Sequence, residues 1–419
     1  MGISVPKLNS VTLHYFENCV GCAACAPSCP YYHVDKHYAP VEKAEFLREI
    51  LRKKYTLAGK LFGPLTGAKL PKREEEFRKL IEFAYRCADC GHCYVTCPFG
   101  IDSGAMVNKL RQVLFGASYG PTLLRQLSAL ERDKGYIAAA RAIWEDFLRD
   151  AHAPVGKKGA RILLMVSLGD IILTRQAVLD AVSILKKVGE DFSLPEKPLG
   201  IFPPVGYTVG DAESLKTVVA DIVSYIEGLS PQAVVMINGC YTYPYFRFEA
   251  TNILKRKFSF KVLHISELLA EYLRQGRLRL KKRSVKAALQ DSCQLARRGG
   301  VIEEPREVLE TCAEVIDVKH SREDVECLGG GAGIGILARP ARDALVKTLG
   351  VSVTPSDWER QFLEKLEKDY AKAANRRVEE LRNAGADVVV ALCPFALEAL
   401  RGAGLAAEHF VSVVAKALV

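Results

Sequence analysis

Short apolar runs alternate with amphipathic segments over the last two thirds of the chain. Six of these runs are rich in β-branched residues and have the length of strands: Ile162–Ser167, Val234–Asn238, Lys261–Ile265, Val285–Gln290, Val315–Val318 and Val388–Leu392. The segments between them have the periodicity of helices with one apolar face. This alternation predicts an α/β fold in which parallel sheets are covered by helices.

One strand pattern occurs twice. Residues 233–240 (AVVMINGC) and 386–393 (ADVVVALC) both end in cysteine, and an aromatic residue and a proline follow nearby. A pattern that repeats in this way indicates a duplicated structural unit. We therefore predict two tandem α/β units, at residues 160–275 and 276–419.

The first third of the chain has helical periodicity instead. A third helix is expected to begin at Asp102 or Ser103, which are favourable N-cap residues. These signals predict an α-helical domain over residues 1–120 and a helical linker over residues 121–159. The two stripes of apolar residues that mark the first helices are Phe46, Leu47, Ile50, Leu51 and Tyr55, and Phe77, Leu80, Ile81, Ala84 and Tyr85.

Composition indicates where such a protein works. The chain has 419 residues, of which 49% are hydrophobic and 26% charged, as in globular proteins of two or three domains. No apolar run approaches the roughly 18–20 residues of a membrane span, and the N-terminal stretch MGISVPKLNS lacks the apolar core of a secretory signal. The net charge of +9 is compatible with an acidic protein partner and too diffuse for nucleic acid. We expect a cytoplasmic protein without a membrane span of its own.

Thirteen cysteines in such a protein point to metal binding more than to disulfides. Eight of them form two runs with the spacing C-x2-C-x2-C-x3-C, each followed by proline. In the bacterial-ferredoxin pattern the fourth cysteine of each run ligates the cluster of the other run. Paired CxxC zinc sites have longer gaps. We predict two [4Fe–4S] clusters, one held by Cys19, Cys22, Cys25 and Cys97, the other by Cys87, Cys90, Cys93 and Cys29.

Three further cysteines lie at or after predicted strands of the second unit. They are Cys293 in QDSCQLAR, Cys327 in ECLGGGAG and Cys393 in ALCPFA. Ligands of open α/β sheets gather at the ends of strands, so these three thiols are candidates for one binding site.

These motifs together resemble the cysteine-rich CCG domain of heterodisulfide reductases, in their B- and D-type subunits, and of the glycolate oxidase iron–sulfur subunit. The paired cluster motifs upstream are also that family's arrangement. The resemblance implies an oxidoreductase subunit whose partners are a flavoprotein, an A- or B-type heterodisulfide reductase subunit, or a membrane cytochrome through which it would associate with a membrane. The matching residues are Asp291-Ser292-Cys293 with Arg297, Gly300-Val301, Pro305-Arg306-Glu307, Cys327-Leu328-Gly329-Gly330 and Cys393-Pro394.

The chain also departs from the family, which holds a special iron–sulfur centre with five cysteines in each unit. In the second unit Leu328 and Ala396 replace two of the five. In the first unit Pro204-Val205-Gly206 stands where Cys-Cys-Gly is expected, and Cys240 alone remains. We therefore expect no cluster in the first unit and predict that Cys240 is a small buried residue.

The sequence leaves several alternatives for what the three cysteines of the second unit bind. They can hold a [4Fe–4S] cluster with one open iron, a [3Fe–4S] cluster, or a tetrahedral metal that takes Cys312 or a histidine as fourth ligand. The remaining alternative is that they are remnants in a packed core. We favour a third iron–sulfur centre at Cys293, Cys327 and Cys393. The glycine run at residues 329–335 does not match G-x-G-x-x-G, and we expect it to bring backbone N–H groups close to cluster sulfurs.

The functional prediction is electron transfer through the two N-terminal clusters, to or from the site in the second unit. One alternative is a catalytic reductase that acts on a disulfide or persulfide at an open iron. The other is a scaffold ferredoxin without a third centre.

Overall fold

The computed structural model describes residues 5, 8–202 and 204–419, so part of the N-terminal stretch MGISVPKLNS lies outside it. Its described residues before position 160 form helices and turns and no strand. This confirms an α-helical N-terminal part. The first six helices are α1 (Ser10–Asn18), α2 (Pro40–Tyr55), α3 (Leu57–Phe62), α4 (Glu74–Ala84), α5 (His92–Val95) and α6 (Ser103–Gly116).

The predicted N-cap and apolar stripes are confirmed with one correction. Asp102 caps α6, since its Oδ1 accepts a hydrogen bond from the N–H of Ala105 at 3.1 Å. The stripe of α4 and Leu47, Ile50 and Leu51 of α2 are buried. Tyr55 is the exception, because α2 ends at this residue and leaves its side chain 51% exposed.

The segment predicted as a helical linker is helical and packed. It consists of α7 (Thr122–Arg132), α8 (Gly135–Ala139) and α9 (Arg141–Ala151). Leu124 and Leu127 of α7 are buried in the core of the N-terminal part, whereas Trp144 and Phe147 of α9 are buried with the first sheet. The segment therefore joins two cores.

The first sheet is parallel, with the strand order β2-β1-β3-β4. Each strand after the first is reached through helices, as the predicted alternation requires. The strands are β1 (Ile162–Met165), β2 (Phe192–Ser193), β3 (Ala233–Met236) and β4 (Lys261–His264); the helices are α10 (Leu168–Lys187), α11 (Val205–Val209), α12 (Ala212–Leu229), α13 (Thr242–Pro244), α14 (Ala250–Leu254) and α15 (Ile265–Arg274). A π-helical turn, Tyr245–Glu249, links α13 to α14.

The second sheet repeats this topology with the order β6-β5-β7-β8, so β3 corresponds to β7. The repeated strand pattern is thereby confirmed as a structural repeat. The strands are β5 (Lys286–Gln290), β6 (Glu314–Ile316), β7 (Val388–Ala391) and β8 (Ala407–His409); the helices are α16 (Glu303–Cys312), α17 (Ile334–Leu337), α18 (Ala341–Leu349), α19 (Asp357–Arg382), α20 (Pro394–Gly402) and α21 (Phe410–Ala415). A second π-helical turn, Leu295–Gly299, follows Cys293.

The longest helix, α19, connects the second sheet to the N-terminal part. Ser356 caps it, accepting a hydrogen bond from the N–H of Glu359. The Glu359 carboxylate in turn accepts hydrogen bonds from the N–H and the hydroxyl of Thr122, at 2.6 and 2.7 Å. Further along the helix, Asp369 forms a buried ion pair of 2.8 Å with Arg86. The helix therefore packs across both parts of the molecule.

Among the helices of the described residues, none combines the length and the apolar character that a bilayer crossing requires. The two longest, α10 and α19, have 20 and 26 residues. Both carry several charged side chains.

Candidate metal centres

Four thiols line a cavity near the surface of the helical part, which we call the outer cavity. Cys19, Cys22 and Cys25 follow α1, and Cys97 follows α5. The Cys22 side chain is exposed to solvent. Burial raises the pKa of the Cys25 thiol to about 11. Thiols from both cysteine runs thus surround this cavity.

A second, inner cavity is lined by Cys29 together with Cys87, Cys90 and Cys93. It lies between α2 and the start of α6. Ser103, the first residue of α6, lines both the outer and the inner cavity, so the two are neighbours. The last cysteine of each run has therefore crossed to the cavity of the other run.

The donor type and spacing of these sulfurs suit clusters better than a single ion. In the chain as described, no three cysteine sulfurs lie within 4.8 Å of one another. A tetrahedral zinc ion with zinc–sulfur bonds of about 2.3 Å would hold its thiolates about 3.8 Å apart. A [4Fe–4S] cluster carries its thiolates on the iron corners of a larger cube. The donor type and the spacing therefore fit [4Fe–4S] clusters.

Lys43 places a positive charge against the inner cavity. Its ammonium group is buried and donates hydrogen bonds to the sulfur of Cys29 at 3.4 Å and to the carbonyl of Arg86 at 2.6 Å. A buried positive charge favours the more negative, reduced form of a neighbouring cluster. We therefore expect Lys43 to raise the reduction potential of the inner centre.

Replacing Lys43 by methionine, which keeps the length of the side chain and removes the charge, should lower that potential. At an effective dielectric constant of about 20 and a separation of about 6 Å, the interaction is about 2–3 kcal/mol, on the order of 100 mV for one electron. A redox titration followed by electron paramagnetic resonance measures the shift. The exposed Lys158→Met is the control and should leave both potentials in place; an unchanged potential in Lys43→Met would contradict the electrostatic role.

The loop of the inner cavity is fixed by residues of both α/β units. Arg298 forms ion pairs with Asp89 at 2.7 Å and with Asp102 at 2.9 Å, and the Tyr207 hydroxyl donates to Asp89 at 2.7 Å. Arg297 donates to the carbonyl of Cys90 at 2.7 Å. These contacts hold residues 89 and 90 against the turn that follows Cys293.

A third cavity lies where the two α/β units meet, and we call it the interface cavity. Its thiols are Cys293 after β5, Cys393 after β7, Cys327 before the glycine run and Cys240 after β3. The strand ends thus bring together the three cysteines predicted for this site. Cys240, which was predicted to be a small buried residue, is partly exposed and lines the same cavity.

The interface cavity is adjacent to the inner cavity. The interaction of the Cys327 thiol with the thiols of Cys293 and Cys90 raises the pKa of Cys327 and lowers the pKa values of Cys293 and Cys90. Asp89 lines both cavities. The two cavities are therefore neighbours.

The glycine run approaches a sulfur as predicted. The N–H of Gly329 donates to Cys327 Sγ at 3.3 Å. A side chain at Gly331 could not be accommodated, because its Cβ would lie 2.2 Å from the carbonyl oxygen of Ala88. The absence of side chains here lets the glycine run contact the loop of the inner cavity.

Other candidate ligands lie elsewhere. Cys312 is buried at the end of α16 and donates to the carbonyl of Val308. His92 is buried, and its Nε2 lies 3.2 Å from a carboxylate oxygen of Asp324. His320, Glu326 and Glu380 converge within 4.8 Å, but the two carboxylates already pair with Arg376 and Arg377.

Comparison with known protein families also assigns iron–sulfur clusters to the N-terminal part. Residues 15–101 match the model of the 4Fe-4S dicluster domain. The chain therefore carries two [4Fe–4S] clusters, as the cysteine spacing predicts.

Similarity to curated proteins extends over the whole chain. Over 99% of its length it is 23% identical to the D-type subunit of the dihydromethanophenazine:CoB–CoM heterodisulfide reductase of Methanosarcina acetivorans, and the match covers 97% of that protein. Over 38% of its length it is 31% identical to the Hdr-like menaquinol oxidoreductase iron-sulfur subunit 2 of Archaeoglobus fulgidus, of which the match covers 31%. An EtfAB:quinone oxidoreductase of Syntrophomonas wolfei is 23% identical over 94% of the chain and 56% of its own length. These matches confirm the resemblance to the heterodisulfide reductase type.

Proposed function

We propose that this chain, a relative of the D-type heterodisulfide reductase subunits with a 4Fe–4S dicluster domain, is the electron-transfer subunit of a redox complex of that type. Clusters of this kind, when bound, accept and release single electrons. The observation that carries the proposal is the sequence of three adjacent thiol-lined cavities, from the solvent-exposed Cys22 to the interface between the α/β units.

The ligand sets are part of this proposal. Cys19, Cys22, Cys25 and Cys97 would hold the outer cluster, and Cys29, Cys87, Cys90 and Cys93 the inner one. Cys293, Cys327 and Cys393 would hold a third iron–sulfur centre. What supports these sets is the grouping of the thiols around the cavities, the absence among the described residues of any three cysteine sulfurs within 4.8 Å of one another, and the residue Asp89, which lines both the inner and the interface cavity.

A protein partner would exchange electrons at the surface around the outer cavity. Five large apolar side chains there are 45–67% exposed: Val11, Val20, Tyr94, Val95 and Phe99. Val11, Tyr94 and Phe99 border one shallow depression. Exposed apolar patches of this kind mark interaction sites, and Cys22 lies within the patch. The partner would be another redox subunit, such as a flavoprotein or a membrane cytochrome; the relatives are named as subunits of heterodisulfide reductase and of an Hdr-like menaquinol oxidoreductase.

The experiment that tests the proposal uses the full chain, reconstituted with iron and sulfide without oxygen. Electron paramagnetic resonance during a stepwise titration with titanium(III) citrate should show two signals from the dicluster domain and a third from the interface cavity. This chain alone should not catalyse the oxidation of reduced viologen by an added low-molecular-weight disulfide. Rapid oxidation of reduced viologen by the disulfide would favour the alternative of a catalytic reductase. If electron paramagnetic resonance shows only the two dicluster signals, the alternative of a scaffold ferredoxin without a third centre is favoured.

A further inference from the structure

We infer that Cys240 is the fourth thiolate of the third iron–sulfur centre, which would then be bound by both α/β units at once. This inference rests on the proposed third centre and assigns it a complete ligand set. Cys240 is the one cysteine of the first unit, which has no other thiol with which to bind a metal.

The backbone around Cys240 is fixed by the second unit. The N–H of Gly239 donates a 2.6 Å hydrogen bond to the carbonyl of Leu392, next to Cys393. The carbonyl of Gly239 accepts a hydrogen bond from the hydroxyl of Ser292, next to Cys293. Because β3 and β7 are equivalent strands of the repeat, these bonds bring their two terminal cysteines to the same place.

Gly239 also shows how closely the two units approach. A Cβ atom at this position would lie 2.5 Å from Leu295 Cδ1 and 3.0 Å from the Cβ of Ser292. A residue with a side chain would push the loop of Cys240 away from the turn of Cys293. The close approach therefore keeps Cys240 within the set of thiols.

The other acidic groups around the interface cavity are already paired. Asp291 forms a buried ion pair with Arg306 and accepts a hydrogen bond from the N–H of Arg322 at 2.7 Å. Asp89 is held by Arg298 and Tyr207. Four thiols thus remain as donors toward the cavity, and soft thiolates select iron–sulfur clusters or zinc.

The spacing of the four sulfurs and the neighbourhood of the site distinguish an iron–sulfur cluster from a zinc ion. No three of the four sulfurs lie within 4.8 Å of one another in the described structure, whereas zinc would draw them to about 3.8 Å. Asp89 lines both the interface cavity and the inner cavity, so the site adjoins the redox-active inner centre, which redox-inert zinc would not use. We therefore assign a [4Fe–4S] cluster with four cysteine ligands and no open iron, which makes the site a carrier of electrons and not a site of disulfide chemistry.

The test compares Cys240→Ala with Cys312→Ala in the full chain, each reconstituted without oxygen. Wild type and Cys312→Ala should bind about twelve irons per chain, as three cubane clusters require. Cys240→Ala should lose either the whole third cluster, leaving about eight irons, or one iron of it, with a new [3Fe–4S] signal. Both dicluster signals should persist, which shows that the variant has folded.

The outcomes separate the inference from the proposed function. If wild type binds only about eight irons, the third centre itself is wrong. If wild type binds about twelve and Cys240→Ala keeps all of them with an unchanged spectrum, the centre exists and the assignment of Cys240 is overturned. One zinc ion per chain in the wild type, lost in Cys240→Ala, would overturn the cluster in favour of a mononuclear site.

A separate observation concerns the surface formed by residues 52–73, which we call the basic–apolar loop. Five large apolar side chains in it are 51–90% exposed: Tyr55, Leu57, Leu61, Phe62 and Leu65. The loop has seven Lys or Arg residues and no Asp or Glu. It contains α3 and the tight turn after it, and none of its residues lines the outer cavity or the depression beside it.

We infer that the basic–apolar loop binds the surface of an anionic bilayer. Leucine and aromatic side chains enter the boundary between headgroups and acyl chains, and nearby lysines attract anionic lipids. Lys54, Lys60 and Lys72 have no carboxylate partner among the described residues, so their charges are available to such a surface. The lack of any acidic residue in the loop favours a lipid surface over the mixed charges of a typical protein interface.

Sedimentation with vesicles tests this inference. The holoprotein should bind vesicles that contain phosphatidylserine and should bind neutral phosphatidylcholine vesicles at least tenfold more weakly. The double variant Leu61→Ser/Leu65→Ser should lose most of the binding, whereas Phe248→Ser, at another exposed apolar residue, should retain it. Absence of binding to anionic vesicles, or equal binding by the double variant, would overturn the inference and leave the loop as a surface for a protein partner.

Discussion

Replacing Cys29 by alanine should remove the inner cluster and spare the outer one, although Cys29 belongs to the same cysteine run as Cys19. Its sulfur lines the cavity of Cys87, Cys90 and Cys93 and accepts the hydrogen bond of Lys43. A cubane that loses one of four protein thiolates becomes labile. We expect a loss of about four irons, or about one if a [3Fe–4S] remnant survives, together with the signal of the inner centre. Iron analysis and electron paramagnetic resonance measure both.

The matched control is the reciprocal change, Cys97→Ala. Cys97 belongs to the second run and lines the outer cavity, so this variant should lose the outer signal and retain the inner one. Comparison with Cys19→Ala identifies the outer signal. If Cys29→Ala and Cys19→Ala abolish the same signal, ligation is not crossed and the proposed ligand sets are wrong.

Replacing Arg111 by methionine should strongly destabilise the protein. We expect the free energy of unfolding to fall by about 3–5 kcal/mol. The buried guanidinium donates to the carbonyls of Ala84 and Cys87 in the helical part, of Thr208 in the first α/β unit and of Ala332 in the second. Methionine keeps most of the volume and leaves four carbonyls without this donor. Buried polar groups without a partner are costly, so the three parts should separate more readily.

Thermal unfolding of the holoprotein without oxygen measures this effect as a midpoint lowered by several degrees and as faster loss of cluster absorbance on heating. Arg149→Met removes an exposed arginine that pairs with Asp146 on the same helix, and it should change the midpoint little. Equal midpoints for Arg111→Met and the wild type would show that the parts are held together without this residue.

The cysteine spacing and the alternation of elements were sufficient to predict the fold class, the two clusters and the repeat. Each of these rests on local sequence: the intervals within a loop, or the period of one strand or helix. The strands β2 and β8 were missed, because they have two and three residues and contain no β-branched residue, whereas the equally short β6 contains Val315 and Ile316. A run of that length carries no periodicity.

Two features of the site depend on contacts between distant parts of the chain. Cys240 was assigned to packing because its own unit offers no second thiol. The hydrogen bonds of Gly239 with Leu392 and Ser292, both distant in sequence, bring it to the other three. Lys43 was missed because lysine is rarely buried. A signal was present, since Lys43, Leu47 and Ile50 recur at helical intervals on the buried face of α2.

The contacts of Asp89 and Cys90 also bear on how the protein matures. All four thiols of the inner cavity have been synthesised by residue 93, but Arg297 and Arg298, which contact this loop, emerge about 200 residues later. During synthesis the inner thiols therefore remain open to an iron–sulfur carrier until the second unit folds over them. We expect a nascent chain that ends before residue 290 to accept the inner cluster more readily than the finished protein, so that cofactor delivery is favoured at the ribosome.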